Sequence, residues 1–158
     1  MSLSDLYTKP GHLIRRAHQI SWALFLDECA PFNITPVQYA AMVAIEERPG
    51  VDATRLSSLI AFDRSTIGNV IERLESRGLV VRKPSTEDKR QKLLFLSREG
   101  ATLLRKAEAS VERVQERILA PLTEAERKQF VKLLNRLATL NNEATSAPIR
   151  VVEDIKSA

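Results

Sequence analysis

The hydrophobic period of this chain departs from the helical spacing in one segment, and that departure limits what the surrounding residues can build. Ile67, Val70, Ile71 and Leu74 recur at i, i+3, i+4 and i+7, the apolar stripe of an amphipathic helix. Asp63, with Thr66 three residues on, opens that helix and Gly78 ends it. Leu79-Val80-Val81-Arg82-Lys83 and Lys92-Leu93-Leu94-Phe95-Leu96 then read as two short strands, separated by the polar residues 84–91. The segment is a helix followed at once by a hairpin with a long charged tip.

Helical signals flank this segment on both sides. Leu13, Ala17, Ile20 and Leu24 recur at spacings of 4, 3 and 4, which predicts a first helix from Pro10-Gly11 to about Cys29, ended by Pro31. Thr35-Pro36 is a hydroxyl cap before an N-terminal proline, so a second helix runs through Ala40 and Ile45 and stops before Pro49-Gly50. Asp52 caps a short third helix bearing Leu56, Leu59 and Ile60, which breaks near Ala61-Phe62. After the hairpin, Ser97 starts a long helix to about Leu119, with Ala107, Val111, Val114 and Ile118 as its seam. Pro121 interrupts it, and Thr123 with Glu126 caps a last helix bearing Phe130, Leu133, Leu134, Leu137 and Leu140. From Ser146 there is no clear period, although Ile149, Val151, Val152 and Ile155 are available for packing.

With 5 glycines, 5% aromatic and 28% charged residues among 158, composition agrees with a mainly helical chain of one-domain size. No run approaches the ~20 apolar residues of a membrane span. The single cysteine excludes an internal disulfide framework. The start, Met1-Ser2-Leu3-Ser4-Asp5, lacks the regions of a signal peptide, which makes the cytoplasm the expected compartment. The formal charge of +4 is unevenly placed: residues 64–98 hold nine basic and four acidic side chains, a net of +5, and the remainder is near neutral. Basicity confined to one segment is the footprint of a nucleic-acid partner.

Two short helices joined by a tight turn, the second amphipathic and followed by a basic hairpin, give the plan of a winged helix-turn-helix. If the apolar stripe holds the fourth helix on the core, the opposite face displays Ser65, Thr66, Asn69 and Arg73, with Arg64 near the same end. Short hydroxyls, an amide and a guanidinium can bond base edges in a major groove or the phosphates beside it. At the hairpin tip, Lys89, Arg90 and Lys92 suit a minor groove or its phosphates, and Asp88 is expected to orient Arg90 by a charged hydrogen bond.

These residues resemble the MarR family of bacterial transcription regulators over about residues 10–145. The resemblance rests on Leu56-Ser57-Ser58-Leu59-Ile60, on Asp63-Arg64-Ser65-Thr66 and on Leu74-Glu75-Ser76-Arg77-Gly78-Leu79-Val80. Its most specific part is Asp88-Lys89-Arg90-Gln91-Lys92-Leu93-Leu94-Phe95-Leu96-Ser97, similar to the family's D-x-R wing signature, with Ser97 where Thr is commoner. The resemblance implies a homodimer holding two winged domains over a pseudo-palindromic operator, the recognition helices roughly 34 Å apart. The apolar seams of the first and last helices support a dimer independently. The expected division is a dimerisation helix in 1–30, the winged helix-turn-helix in 35–98, dimerisation helices in 99–145 and a tail in 146–158.

The resemblance also implies a small, aromatic, anionic effector between the dimer helices and the winged domain. The first helix offers His12, Arg15, Arg16, His18 and Trp22, and the second adds Tyr39. Arg15, His18 and Trp22 stand at i, i+3 and i+7, so guanidinium, imidazole and indole converge on one face. Residues 7–20 resemble the opening of regulators of aromatic-acid breakdown, and within these the repressors of nicotinate degradation. On the alternative reading Trp22 is core, the arginines are surface or interface ion-pair partners and the histidines satisfied polar groups. His12 and His18 lie six residues apart, about 240° around a helix, and so do not form the i, i+4 pair of a zinc site. No metal or other cofactor is expected.

Cys29 follows Asp27-Glu28 near a helix C-terminus, where carboxylates and helix dipole both oppose a thiolate. A redox-sensing repressor acting through Cys29 therefore ranks below an effector-responsive one, as does a constitutive DNA-binding protein without an effector. No glycine-rich phosphate loop, G-x-S-x-G elbow or metal-spaced cluster points to an enzyme.

Overall fold

Capping side chains start most of the helices in the computed structural model, which describes residues 2–150. Ser2 and Asp5 form a capping box for α1 (Leu3–Tyr7), too short a helix to show a period and not anticipated from the sequence. Helix α2 (Pro10–Glu28) begins on its proline and ends at Cys29, and Ala30–Phe32 adds one tight turn. Thr35 and Gln38 exchange bonds to open α3 (Pro36–Glu47). Gly50, at φ +87°, turns the chain into a short strand, β1 (Val51–Asp52).

Asp52 accepts the Arg55 N–H at 2.9 Å and starts α4 (Ala53–Leu59). Ala61, at φ +54°, makes the tight turn into α5 (Arg64–Ser76). Strands β2 (Val80–Pro84) and β3 (Lys92–Leu96) form the hairpin in the register Val80↔Leu96 to Pro84↔Lys92. The sheet has three strands, not the two of the hairpin alone. β1 pairs antiparallel with β3 through Val51↔Leu94 and Asp52↔Leu93, in the order β1-β3-β2. Two residues cannot show alternation, which is why β1 is invisible in sequence.

Ser97 caps α6 (Arg98–Leu119), and a Thr123–Glu126 capping box opens α7 (Glu124–Leu140). α6 joins two cores. Leu104 packs with Met42, Ile45, Leu56, Ile67, Leu74, Val80 and Leu94 in the winged unit. Further along α6, Ala107 and Val114 pack with Phe25, Cys29 and Ile34. The α2–α6 seam is closed at its rim by Arg113 and Arg117 on Glu28.

α7 buries none of its residues, and Leu133, Leu137 and Leu140 stand 54%, 48% and 73% exposed. Beyond it the chain folds back. The Asn142 amide bonds both N–H and carbonyl of Ile149, Arg150 pairs with Glu143, and the Arg150 N–H donates to the Ser58 carbonyl at 3.0 Å. Ile149 remains 46% exposed, and Val151, Val152 and Ile155 lie outside the described residues. Among the described residues no helix is long and apolar enough to cross a membrane.

Candidate nucleic-acid interface

Ile67, Val70, Ile71 and Leu74 are all buried, which fixes the rotation of α5. At about 100° per residue, Ser65, Asn69, Glu72, Arg73 and Ser76 then share the outer face, and all five are exposed. Arg64 is exposed at the first position of the helix. These five side chains form a continuous exposed stripe, and Thr66, expected on the same face, is half-buried.

The N-terminus of α5 is more tightly organised than its sequence suggests. Asp63 accepts the Thr66 N–H at 2.8 Å and the Thr66 hydroxyl at 2.6 Å. The hydroxyl bond, then the backbone bond, holds the Asp63 carboxyl below the usual carboxylate range. Thr66, expected among the residues that face DNA, has committed its hydroxyl proton to the cap. It keeps only acceptor capacity for an outside partner.

The hairpin tip is ordered from within. Ser85 is buried, its N–H donates to the Gln91 carbonyl at 3.0 Å, and its hydroxyl accepts the N–H groups of Glu87 and Asp88. Asp88 accepts the backbone N–H of Arg90 at 2.9 Å rather than its guanidinium. The carboxylate shapes the turn, and the Arg90 side chain projects from that turn without an ion-pair partner among the described residues. The difference has a local cause: a side-chain oxygen bonding an N–H two residues on is the ordinary geometry of an Asx-turn.

Two polar contacts bind the hairpin to the helices. The Gln91 amide donates to Asp52 at 2.9 Å, using the carboxylate oxygen that the α4 cap leaves free, and Arg82 pairs with Glu75 of α5 at 2.8 Å. At the other end the Ser97 hydroxyl donates to the Gly78 carbonyl at 2.6 Å, and the Ser97 N–H to the Leu79 carbonyl at 3.0 Å. Lys83 lies over the Phe95 ring, 5.1 Å from its centre. Arg77 donates to the carbonyls of Phe32 and Asn33.

These contacts divide the basic footprint. Arg77, Arg82 and Lys83 serve the fold. Arg64, Arg73, Lys89, Arg90, Lys92 and Arg98 are exposed, with no ion-pair partner among the described residues, and the first five lie on α5 and the hairpin, where they are free to meet phosphate. Sequence spacing does not separate these classes, because the partners of Arg77 lie more than 40 residues away.

The candidate effector residues are partly assembled. His18 and Trp22 stack at 6.0 Å between ring centres, while Arg15 bonds Gln19 at 2.8 Å. His12 is half-buried under Tyr7, with ring centres 5.6 Å apart, and its buried Nε2 has no partner among the described residues. Arg16 is exposed. Tyr39 meets the same helix through Phe25, at 6.1 Å, and burial, reinforced by Glu108 and Glu112, pushes its phenol up. Tyr39 lines a cleft of about 450 Å³ with Ala40, Val43, Ala44, Leu59 and Ile60, and none of the α2 candidates does. A second cleft, of about 560 Å³, lies between Phe32, Arg77 and the start of α6.

Cys29 is buried at 1% exposure, and burial first, then Glu28, pushes its thiol up. That is the opposite of what a sensor thiolate requires. No group of three metal-ligating side chains occurs among the described residues.

The sequence model of the MarR family matches residues 34–92, from the turn before α3 to the start of β3. The transcriptional regulator HosA of Escherichia coli O157:H7 is 31% identical over 132 residues, 84% of this chain and 96% of that protein. Among solved structures, the PcaV transcriptional regulator of Streptomyces coelicolor, in complex with its natural ligand, superposes with a TM-score of 0.77 at 34% identity, over 88% of this chain and 98% of that one. BpsR of Bordetella bronchiseptica, whose DNA binding is regulated by 6-hydroxynicotinic acid, superposes with a TM-score of 0.78 at 27% identity, over 83% and 94%. With the α5 stripe, the tied wing and these likenesses together, the chain belongs to the MarR family of winged-helix transcriptional regulators.

Proposed function

We propose that this regulator is a repressor that binds a pseudo-palindromic operator as a homodimer and leaves it when a small aromatic acid binds. The observation that carries the reading is the exposed stripe Ser65, Asn69 and Arg73 beside a wing whose free cations, Lys89, Arg90 and Lys92, sit on an internally bonded turn. The stripe suits base edges, and the wing suits a neighbouring groove or its phosphates. Arg64 at the start of α5 adds a phosphate contact, while Thr66 contributes through the cap.

The homodimer is supported by α7. An apolar stripe of Phe130, Leu133, Leu134, Leu137 and Leu140 left in water is the mark of an interaction face. Residues 1–30 and 99–145 supply the dimer region, and 35–98 the reading unit. The natural-ligand complex of PcaV and the control of BpsR by 6-hydroxynicotinic acid support an aromatic-acid effector here. Arg15, His18, Trp22 and Tyr39 are its recognition groups, with His12 and Arg16 beside them, and control of aromatic-acid catabolism, including that of nicotinate, is the corresponding role.

The test pairs mobility-shift titrations on the DNA upstream of the gene with a thermal-shift panel of aromatic acids. An acid that raises the melting temperature and weakens operator binding supports the reading, and Arg15→Ala should abolish release while sparing DNA binding. A panel without any such acid, on a protein that does bind the operator, would leave a constitutive binder. Light scattering on Leu133→Glu/Leu137→Glu should give monomers in place of dimers.

A further inference from the structure

The outer face of α5 carries a feature that phosphate binding does not explain. Glu72 lies near the middle of the exposed stripe, between Asn69 and Ser76, and has no hydrogen-bond or ion-pair partner among the described residues. Its neighbour Glu75 behaves differently, being bound to Arg82 at 2.8 Å. An unpaired carboxylate on a face that approaches a polyanion repels it, unless the carboxylate meets a hydrogen-bond donor there. The major-groove donors are the cytosine N4 and adenine N6 amino groups; the adenine donor lies beside the N7 acceptor, which repels a carboxylate, so a carboxylate pairs best with cytosine.

Gly68, one helical turn before Glu72, is the second observation. A mid-helix glycine is less stable than alanine there, and packing does not require one: a Cβ at Gly68 would meet nothing within 4 Å. The contrast is Gly100, where a Cβ would fall 2.1 Å from the Leu79 carbonyl oxygen. Gly68 leaves a notch beside Glu72 on the same side of the helix, and a missing side chain allows close approach to a ligand. From the notch and the unpaired carboxylate together, we infer that Glu72 is a specificity-determining residue that selects a cytosine in each operator half-site, with Gly68 letting the helix sit deep enough for the contact.

The inference rests on α5 being the reading helix, and the experiment separates the two. Binding-site selection from a randomised duplex is run with the full-length wild type and with Asn69→Ala, Arg73→Ala, Glu72→Ala, Glu72→Gln and Gly68→Ala. The wild type should require C at one position per half-site, with other bases about 5- to 150-fold weaker. Glu72→Ala should lose that preference alone, and Glu72→Gln should move it toward A, which a carboxamide bonds through N6 and N7. Gly68→Ala should melt higher than the wild type yet bind the selected site more weakly. An unchanged base preference in Glu72→Ala, or equal tightening on every sequence, would overturn the inference and leave Glu72 as plain repulsion. If Asn69→Ala and Arg73→Ala also leave affinity and preference untouched, the placement of the reading face fails as well.

Discussion

Replacing Gly100 by alanine should unseat the wing from α6. The new Cβ would lie 2.1 Å from the Leu79 carbonyl oxygen and 3.0 Å from its carbonyl carbon. Even a close C···O contact measures about 3.3 Å, so the Gly78-Leu79 turn must retreat by roughly 1 Å. Both partners are backbone, and no rotamer change relieves the clash. The same carbonyl accepts the Ser97 N–H at 3.0 Å, a bond that the retreat stretches and that is worth about 1 kcal/mol. Leu79 and Val80, buried at 5% and 1%, would be pulled from the core, and overpacking of this kind costs about 1–3 kcal/mol. Against these stands the gain of alanine over glycine in a helix, up to about 1 kcal/mol.

The net loss is therefore about 1–3 kcal/mol. At about 2–4 °C per kcal/mol for a chain of this size, Gly100→Ala should melt roughly 2–12 °C below the wild type. Thermal unfolding followed by circular dichroism reads it, with Gly68→Ala as the internal control, expected to melt higher by a few degrees at most. The two glycines should give shifts of opposite sign. A Gly100→Ala protein that melts at or above the wild type would refute this expectation.

Asp63, Glu28 and Glu126 are held below their ordinary carboxylate values, by Thr66, by Arg113 and Arg117, and by Thr123 respectively. Their stabilisation is complete above the unfolded values near pH 4 and is lost as pH falls through the lower folded values. Acid melting curves should accordingly decline below about pH 4, and Glu28→Gln should flatten that decline. Cys29, buried with its thiol pushed up, should react with a disulfide reagent only at the rate of unfolding, and operator binding should survive peroxide; fast labelling of the native protein would contradict its placement. Arg64→Ala and Lys89→Ala should each lower the slope of log affinity against log salt by about 0.9 for every phosphate no longer neutralised, where Arg77→Ala should leave that slope alone. Asp88→Ala, which frees the Arg90 N–H, should weaken operator binding with little change in melting temperature, and equal affinity would show that the turn holds its shape without it.

How far the fold is legible in the sequence follows from the range of the forces involved. Helix starts at Thr35, Asp52, Asp63, Ser97 and Thr123 are legible because a cap acts over three residues. The α5 stripe is legible because burial repeats with the helical period. β1 is not, since its identity lies in β3, some 40 residues away. The roles of Arg77 and Gln91 are likewise set by Asn33 and Asp52, so a count of basic residues assigns Arg77 to DNA when it belongs to the fold. Asp88 shows a finer limit: the D-x-R spacing identifies a bonded pair, but not whether the arginine offers its backbone or its side chain.

The long-range bonds also say which parts of the molecule move together. Asp52 serves α4 through one oxygen and the wing, via Gln91, through the other, while Arg82 ties the wing to α5. Wing, α4 and α5 are thereby cross-braced around a single core, and bending one against another breaks at least one of these bonds. Toward α2 the connections run through the second, smaller core, in which Ala107 and Val114 of α6 pack with Phe25, Cys29 and Ile34, and through Arg77 on the carbonyls of Phe32 and Asn33 and Arg113 and Arg117 on Glu28 at its rim. Among the described residues only the half-buried Tyr39 and Leu103 pack against both cores, and the interior of a packed core resists displacement more strongly than a junction of this kind. A ligand among the α2 side chains is therefore better placed to rotate the whole winged unit about residues 29–35 and α6 than to deform the reading helix. Its effect on DNA would be felt as a change in the separation and tilt of two intact reading surfaces.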